Sequence, residues 1–249
     1  MKVCLLTCTY NRAKCLERTI RFYIDQDYKG ESVHVIYNNA PFPLKLNIPA
    51  LPSNKKIILI NAPFNNEGQN YSSVGEIFNC ALEWVNENIY PEIITMFDDD
   101  DLFLPSHIKE GVKGMEKAYK QEMLAYKPFY SYFRTKENIK KVHNTMEPSI
   151  FVDFTYLHQA GFRNSVVDYN QGWIDPLKAT NQLFIDKNGK ETLIYDWGEE
   201  ISVFKISGAG NNKTNFINHH KNSMDVKQTI TPITEEKAQE YYKLVDKCK

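Results

Sequence analysis

The chain contains no run of about eighteen apolar residues, so no membrane-spanning helix is expected. It has no Cys-x-x-Cys pair, and its five cysteines (Cys4, Cys8, Cys15, Cys80 and Cys248) are odd in number. That pattern argues against a disulfide framework and for a reducing, cytoplasmic compartment. No Gly-x-Gly-x-x-Gly follows the first apolar run, which disfavours a dinucleotide-dependent oxidoreductase. Charge of one sign is also missing. Lys and Arg number 30 against 31 for Asp and Glu, a net charge of −1. No global basic field therefore advertises nucleic acid or an anionic membrane as a partner. There is no internal repeat and no low-complexity tract. The opening Met1 to Cys8 is too briefly apolar for a secretory signal, and Asn11-Arg12 interrupts it.

What is present is a globular composition. The 249 residues are 42% hydrophobic, 24% charged and 13% aromatic, which suits one large domain. The first half alternates. Short apolar runs at 3–9, 32–37, 56–60 and 92–97 read as buried strands. Helical spacing appears at Leu16, Ile20, Tyr23 and Ile24, with Asn11 as the expected cap, and again at Val74, Ile77, Phe78, Ala81, Leu82 and Val85. Pro105 is expected to open a third helix carrying Ile108, Val112, Met115 and Tyr119. The Pro-rich stretch 41–54 reads as loop. This order predicts an α/β fold with a mostly parallel sheet and helices on both faces.

The second half is less regular. Residues 124–133 and 149–154 read as strands, and 184–195 as a hairpin turning at Asn188-Gly189. Residues 207–230 read as a long loop, and Thr234 as the cap of a last helix. No linker separates the halves. One domain over 1–249 is expected, with residues 1–105 as the nucleotide-binding half and 106–249 as an elaborated acceptor half.

Four neighbouring aspartates, Asp98 to Asp101, follow the fourth apolar run. Adjacent carboxylates repel, so the run asks for a counter-charge. A solvated acidic turn before the Pro105 helix is the simple account. The placement argues for more: ligands of open α/β sheets collect at the carboxyl ends of strands. Thr9 to Arg12, Asn38-Asn39 and Asp98 to Asp101 all fall at such ends. Hard oxygen donors of this kind suit Mg²⁺ or Mn²⁺ together with substrate phosphates. An EF-hand is excluded, because the loop lacks its glycine and its closing glutamate.

These residues carry a resemblance. Thr9-Tyr10-Asn11-Arg12, then a helix, then Gln26 and Tyr28, resembles the opening of an inverting family-2 glycosyltransferase with the GT-A fold. The run Phe97 to Pro105 resembles that family's Asp-x-Asp element, and Tyr156 to Phe162 resembles the segment preceding its acceptor site. The resemblance is close over 1–110 and patchy beyond. It implies a metal-dependent transferase that moves a sugar from a nucleoside-diphosphate sugar, UDP by family habit, to an acceptor hydroxyl, on a glycan in the leading reading. On its register Asp98 and Asp100 would bind the Mn²⁺ or Mg²⁺, with Asp100 the direct ligand. Thr9, Tyr10, Arg12, Asn38, Asn39, Asp98 and Asp99 would meet the nucleotide sugar. His220, in Asn218 to Met224, matches a late family element that binds metal or diphosphate. The base would come from Tyr195 to Ser207, where Glu199 and Asp196 compete evenly, ahead of Glu200 and the outlying Asp175. The chain departs from the family twice. Asn38-Asn39 replaces the usual pair containing aspartate, and Ile77-Phe78-Asn79 lacks the usual arginine. Two other readings stay open: a transferase acting on a modified nucleic-acid base, through the basic stretch Lys205 to Lys227, and a non-catalytic nucleotide-sugar binder.

Overall fold

The structure is a computed structural model. It describes residues 1–72, 74–99, 101–121, 123–126, 130–134, 139–143, 150–160, 203–206 and 231–232. The expected hairpin, final helix and long loop lie outside these residues.

The first strands form where the apolar runs are continuous. These are β1 (Val3–Thr9), β2 (Ser32–Asn38), β3 (Lys55–Asn61) and β4 (Ile93–Met96). They pair in parallel in the order β3-β2-β1-β4. A parallel strand is covered on both faces, so its side chains are apolar without alternation. On β1, Val3 and Leu5 enter one core with Phe22, Tyr23, Ile108, Val112 and Met115. Cys4 and Leu6 enter the other with Phe78, Ala81, Leu82 and Val85. Thus α1 (Ala13–Ile24) and α3 (His107–Tyr119) cover one face, and α2 (Val74–Asn88) covers the other.

The sheet continues past β4 with β9 (Phe151–Asp153) and β6 (Ala125–Tyr126), where β9 runs antiparallel to both neighbours. Two glycines let α3 lie close to it. A Cβ on Gly111 would meet the Phe151 ring at 2.1 Å, and one on Gly114 the Tyr126 ring at 2.3 Å. A second sheet, in the order β11-β8-β7-β10-β5, was not legible in the sequence. Its strands are β5 (Leu102–Phe103), β7 (Tyr130–Arg134), β8 (Ile139–His143), β10 (Val203–Ile206) and β11 (Thr231–Pro232).

Several expectations are corrected. The run 124–133 is two strands, β6 and β7, one in each sheet. Pro128 lies between them, and proline cannot donate to a ladder. The run 149–154 is a short strand, β9, that passes directly into helix α4 (Phe154–Ala160). Asp153 starts α4: its Oδ1 accepts from Tyr156 N at 2.9 Å. Helix α3 starts at His107, two residues after Pro105. Asn11 does not cap α1. Arg12 holds the N-cap position and makes no side-chain cap bond, while Asn11 sits in the left-handed region at φ 53°. Asparagine tolerates that conformation better than most residues, and the turn sends the Arg12 side chain toward the aspartate run.

Gln26 joins these parts. It is buried, and its Nε2 donates to Phe22 O at 3.0 Å and Leu104 O at 2.8 Å. Its Oε1 accepts from Ile108 N at 3.0 Å, one of the α3 amides that has no partner within the helix. One side chain therefore ties the end of α1 to both the segment after the aspartates and the start of α3. Lys55 closes the same end of α1 from below. Its Nζ donates to Ile24 O and Gln26 O, each at 2.6 Å, where a helix C-terminus favours a cation.

Candidate active site

The chain order β1, β2, β3 runs outward in one direction, and β4 then pairs on the other side of β1. The order reverses between β1 and β4, and open α/β sheets bind ligands at such a point. Residues 9–12 leave the carboxyl end of β1 there, and residues 97–101 leave that of β4. The aspartates also link the two sheets, because β5 follows them directly and pairs antiparallel with β10.

The base of the aspartate run is pinned from below. Phe97 N donates to Leu6 O at 2.8 Å, and Phe97 O accepts from the Thr7 hydroxyl. Thr7 Oγ1, having given its hydrogen, accepts from His34 Nε2 at 2.8 Å. That fixes His34 as the neutral tautomer protonated on Nε2. The His34 ring lies between Tyr23 and Phe97, with centroids 5.2 and 5.3 Å away. Burial pushes its pKa down to about 3. His107, equally buried among Phe103 and Phe151, is also pushed down to about 3.

Asp99 turns inward. It is 3% exposed, its Oδ2 accepts from Thr9 Oγ1 at 2.6 Å, and its Oδ1 pairs with Arg12 Nη1 at 2.9 Å. Its backbone carbonyl accepts from Arg18 Nη2 at 3.3 Å and Thr19 Oγ1 at 3.2 Å. Part of the positive charge that the aspartates require is thus internal, supplied by Arg12 from the N-cap of α1. Asp98 is half-buried and Asp101 buried. Cys8 lies close by. Burial and then the Asp98 and Asp99 carboxylates push its thiol well up, so it stays protonated.

Asn38 is fully buried, and all four of its hydrogen-bonding positions are used inside the protein. Oδ1 accepts from Asn11 N at 3.2 Å and Ala40 N at 3.3 Å. Nδ2 donates to Phe42 O at 3.1 Å and Asn61 Oδ1 at 2.9 Å. Asn38 therefore ties three strand ends and their loops together and has no bond left for a ligand in this arrangement. Asn39 is half-buried beside it, its backbone held by a bond from N to Thr9 O at 3.1 Å. Tyr10 is 59% exposed.

The sequence reading thus has Thr9, Tyr10, Arg12, Asn38, Asn39, Asp98 and Asp99 at one rim. Asp100, Asp196, Glu199 and His220 lie outside the described residues. The reading missed Thr7, Arg18, Thr19, His34 and Asn61. Thr19 carried a signal, being a polar residue on the apolar face of a helix at i+7 from Arg12. His34 and Thr7, polar residues inside strands of otherwise apolar pattern, carried another. Among the described residues no group of three His, Cys, Asp or Glu could hold a metal, and no helix is long and apolar enough to cross a membrane.

The family model described as "Glycosyl transferase family 2" matches residues 4–169. No curated protein sequence matches significantly. Among solved structures, S. aureus TarS 1-349 superposes with a TM-score of 0.55 at 14% identity, over 83% of this chain and 60% of that one. The same protein in complex with UDP-GlcNAc gives 0.57 at 13% identity, over 86% of this chain and 61% of that one. The chain thus spans about three-fifths of these relatives. At such identities the likeness is one of fold, and with the β3-β2-β1-β4 order it gives an α/β, Rossmann-like GT-A fold. A family match over residues 4–169, most of the chain and including the segments that bring Thr9, Arg12 and Asp99 together, shows that this protein belongs to glycosyl transferase family 2.

Proposed function

We propose that the protein transfers a sugar from a nucleoside-diphosphate sugar to an acceptor hydroxyl, on a glycan, with inversion at the anomeric carbon. The observation that carries this reading is the meeting of Thr9 and Arg12 with Asp99 at the reversal of strand order. There a positive Arg12 and several carboxylates share one rim. A diphosphate needs positive charge from the protein or from a metal, and this rim offers Arg12 and hard oxygen donors together.

The carboxylate chemistry of the aspartate run supports a divalent-cation site. Asp99 is committed to Thr9 and Arg12, so Asp98 and Asp100 are the carboxylates that would hold Mn²⁺ or Mg²⁺, with His220 as a further ligand or diphosphate contact. One or two carboxylates plus phosphate oxygens are the usual protein share for such ions. A bound cation supplies charge neutralisation for the leaving diphosphate. Arg12, held by Asp99, faces the same anion. Tyr10 and Asn39 meet the nucleoside. A carboxylate from the stretch before β10, Glu199 or Asp196, takes the proton of the attacking hydroxyl. That UDP-GlcNAc occupies a protein of this fold supports starting with UDP.

The test is calorimetric titration of nucleoside diphosphates, UDP first, with and without Mn²⁺, into the wild type, Asp98→Ala and Asp100→Ala. Metal-dependent binding that vanishes in either variant is the expected result. A wild type that binds no nucleoside diphosphate under any divalent metal sinks the reading.

A further inference from the structure

Thr7 and His34 are polar residues inside strands that are otherwise apolar. Both are 0% exposed, like Leu5 and Leu6 on β1 and Val35 and Ile36 on β2. The pair is costly to keep. His34 Nε2 is used on Thr7, but Nδ1 has no hydrogen-bond partner among the described residues. A buried polar atom without a partner destabilises the fold, and an apolar pair of similar volume avoids that cost. What the pair does with its other bond is therefore informative. The Thr7 hydroxyl donates to Phe97 O, the carbonyl between the end of β4 and the aspartates.

That carbonyl bears on Asp98. A peptide unit is planar, so Phe97 O and the Asp98 N–H turn together. Phe97 is already held at two other points: its N donates to Leu6 O at 2.8 Å, and its ring stacks on that of Phe103 at 3.7 Å. The Thr7 bond is the third hold, and it fixes the plane from which Asp98 departs. On the far side, Asp99 is fixed through Thr9, Arg12, Arg18 and Thr19. Asp98 therefore lies between two anchored neighbours. The His34 ring is packed against Tyr23 and Phe97, and its N–H, by occupying a lone pair of Thr7 Oγ1, directs the hydroxyl hydrogen at Phe97 O.

We infer that Thr7 and His34 are positioning residues for the divalent-cation site, and that through Phe97 O they aim the Asp98 carboxylate. This rests on the reading of Asp98 as a metal ligand given above. Groups that orient a ligating side chain without touching the ion govern metal affinity by roughly ten- to a hundredfold. The pair gives up some stability for a ligand direction set in advance, a trade common at functional sites.

The experiment titrates Mn²⁺ into wild type, Thr7→Val, Thr7→Ser, His34→Leu and the double variant Thr7→Val/His34→Leu. UDP, GDP, ADP or CDP is held at saturation, whichever the wild type binds, and free Mn²⁺ is read by electron paramagnetic resonance. Melting temperatures are measured without metal, so that binding does not contribute to them. Thr7→Val should weaken Mn²⁺ binding roughly ten- to a hundredfold. It should also melt lower, because it strands His34 Nε2 and Phe97 O together. Thr7→Ser keeps the hydroxyl and should bind Mn²⁺ like the wild type. His34→Leu should weaken binding by less than Thr7→Val, since the bond to Phe97 O survives. The double variant separates function from stability. It removes the stranded imidazole, so it should melt above Thr7→Val while its Mn²⁺ affinity stays as low.

Mn²⁺ affinity that returns together with stability in the double variant overturns the inference. So does wild-type affinity in Thr7→Val or His34→Leu, or a Thr7→Ser variant as weak as Thr7→Val. If Thr7→Val fails to fold, the double variant is compared with wild type directly, and equal Mn²⁺ affinity overturns the inference. In each of these outcomes the wild type still binds metal with nucleotide, so the donor reading stands. A wild type that takes up no Mn²⁺ with any of the four nucleotides overturns that reading, and the positioning role with it.

Discussion

Replacing Gln26 by Leu tests how the aspartate run is held in place. The side chains are close in volume, so the change removes polarity with little cavity. Three bonds are lost: those to Phe22 O, Leu104 O and Ile108 N. Leu104 O keeps a bond from His107 N at 3.0 Å. Ile108 N is the larger loss, since Ile108 is 0% exposed and water cannot take the place of Gln26. An unsatisfied buried amide costs about 1–3 kcal/mol, and each lost neutral bond about 0.5–1.5 kcal/mol. Greater apolarity of leucine offsets about 1 kcal/mol. With the two lost carbonyl bonds the net loss is about 1–5 kcal/mol, centred on about 3, and a loss of about 3 kcal/mol corresponds to about 6–12 °C in melting temperature for a chain of this size. Urea denaturation measures it, and an unchanged m-value shows that the native state is intact. Gln26→Glu refines the test. One carboxylate oxygen still accepts from Ile108 N, but the other faces the carbonyls of Phe22 and Leu104. Those carbonyls and burial raise the folded pKa of the new carboxyl, so this variant loses stability as pH rises through that value. A Leu variant within about 0.5 kcal/mol of wild type, or a Glu variant with the wild-type pH profile, would refute the account.

Asn38→Asp keeps the shape of Asn38 but turns two donors into an acceptor facing Phe42 O and Asn61 Oδ1. A loss of about 2–4 kcal/mol at pH 7 is expected, as for other broken buried polar networks, and part should return at pH 4. Urea curves at the two pH values decide, and a neutral substitution would mean that the loops do not depend on this residue. His34 and His107 predict an acid limb. Both are pushed down to about 3 by burial, whereas an unfolded histidine titrates near pH 6.5. The unfolded chain takes up protons first, so stability falls as pH drops from about 6.5 toward 3, by on the order of 4 kcal/mol per imidazole. His34→Asn retains a donor for Thr7 and should flatten that limb. An identical pH dependence of stability in the variant would count against the burial argument.

Much of the first half was legible in residue pattern alone. Val3–Thr9 is a strand with the bounds its apolar run suggested, and Leu16, Ile20 and Tyr23 face the core as helical spacing required. Such elements are readable because burial on both faces of a parallel strand, or on one stripe of a helix, writes itself into neighbouring residues. The second sheet was not legible. Its strand β5 is two residues long, and its partner β10 is about a hundred residues away, so no local period marks either one. The caps failed for a related reason. Asn11 has the chemistry of a cap, but its backbone N–H donates to Asn38 Oδ1, and Arg12 is drawn to Asp99.

The sequence by itself determined the α/β class, the strands and helices of the first half, and the gathering of three polar clusters at strand ends. It did so because periodicity and strand order are properties of the chain. Only the tertiary structure decided what each polar residue does there. Four aspartates look alike in sequence. The pairing of β1 with β4 sets Asp99 against Thr9 and Arg12 from 87 or more residues away and makes it an internal counter-charge. Two adjacent asparagines likewise look equivalent. The alternation of side chains at a strand end buries Asn38 in a closed set of hydrogen bonds and leaves Asn39 at the rim. A side chain's role depends on which partners reach it, and those partners are fixed by packing between distant segments.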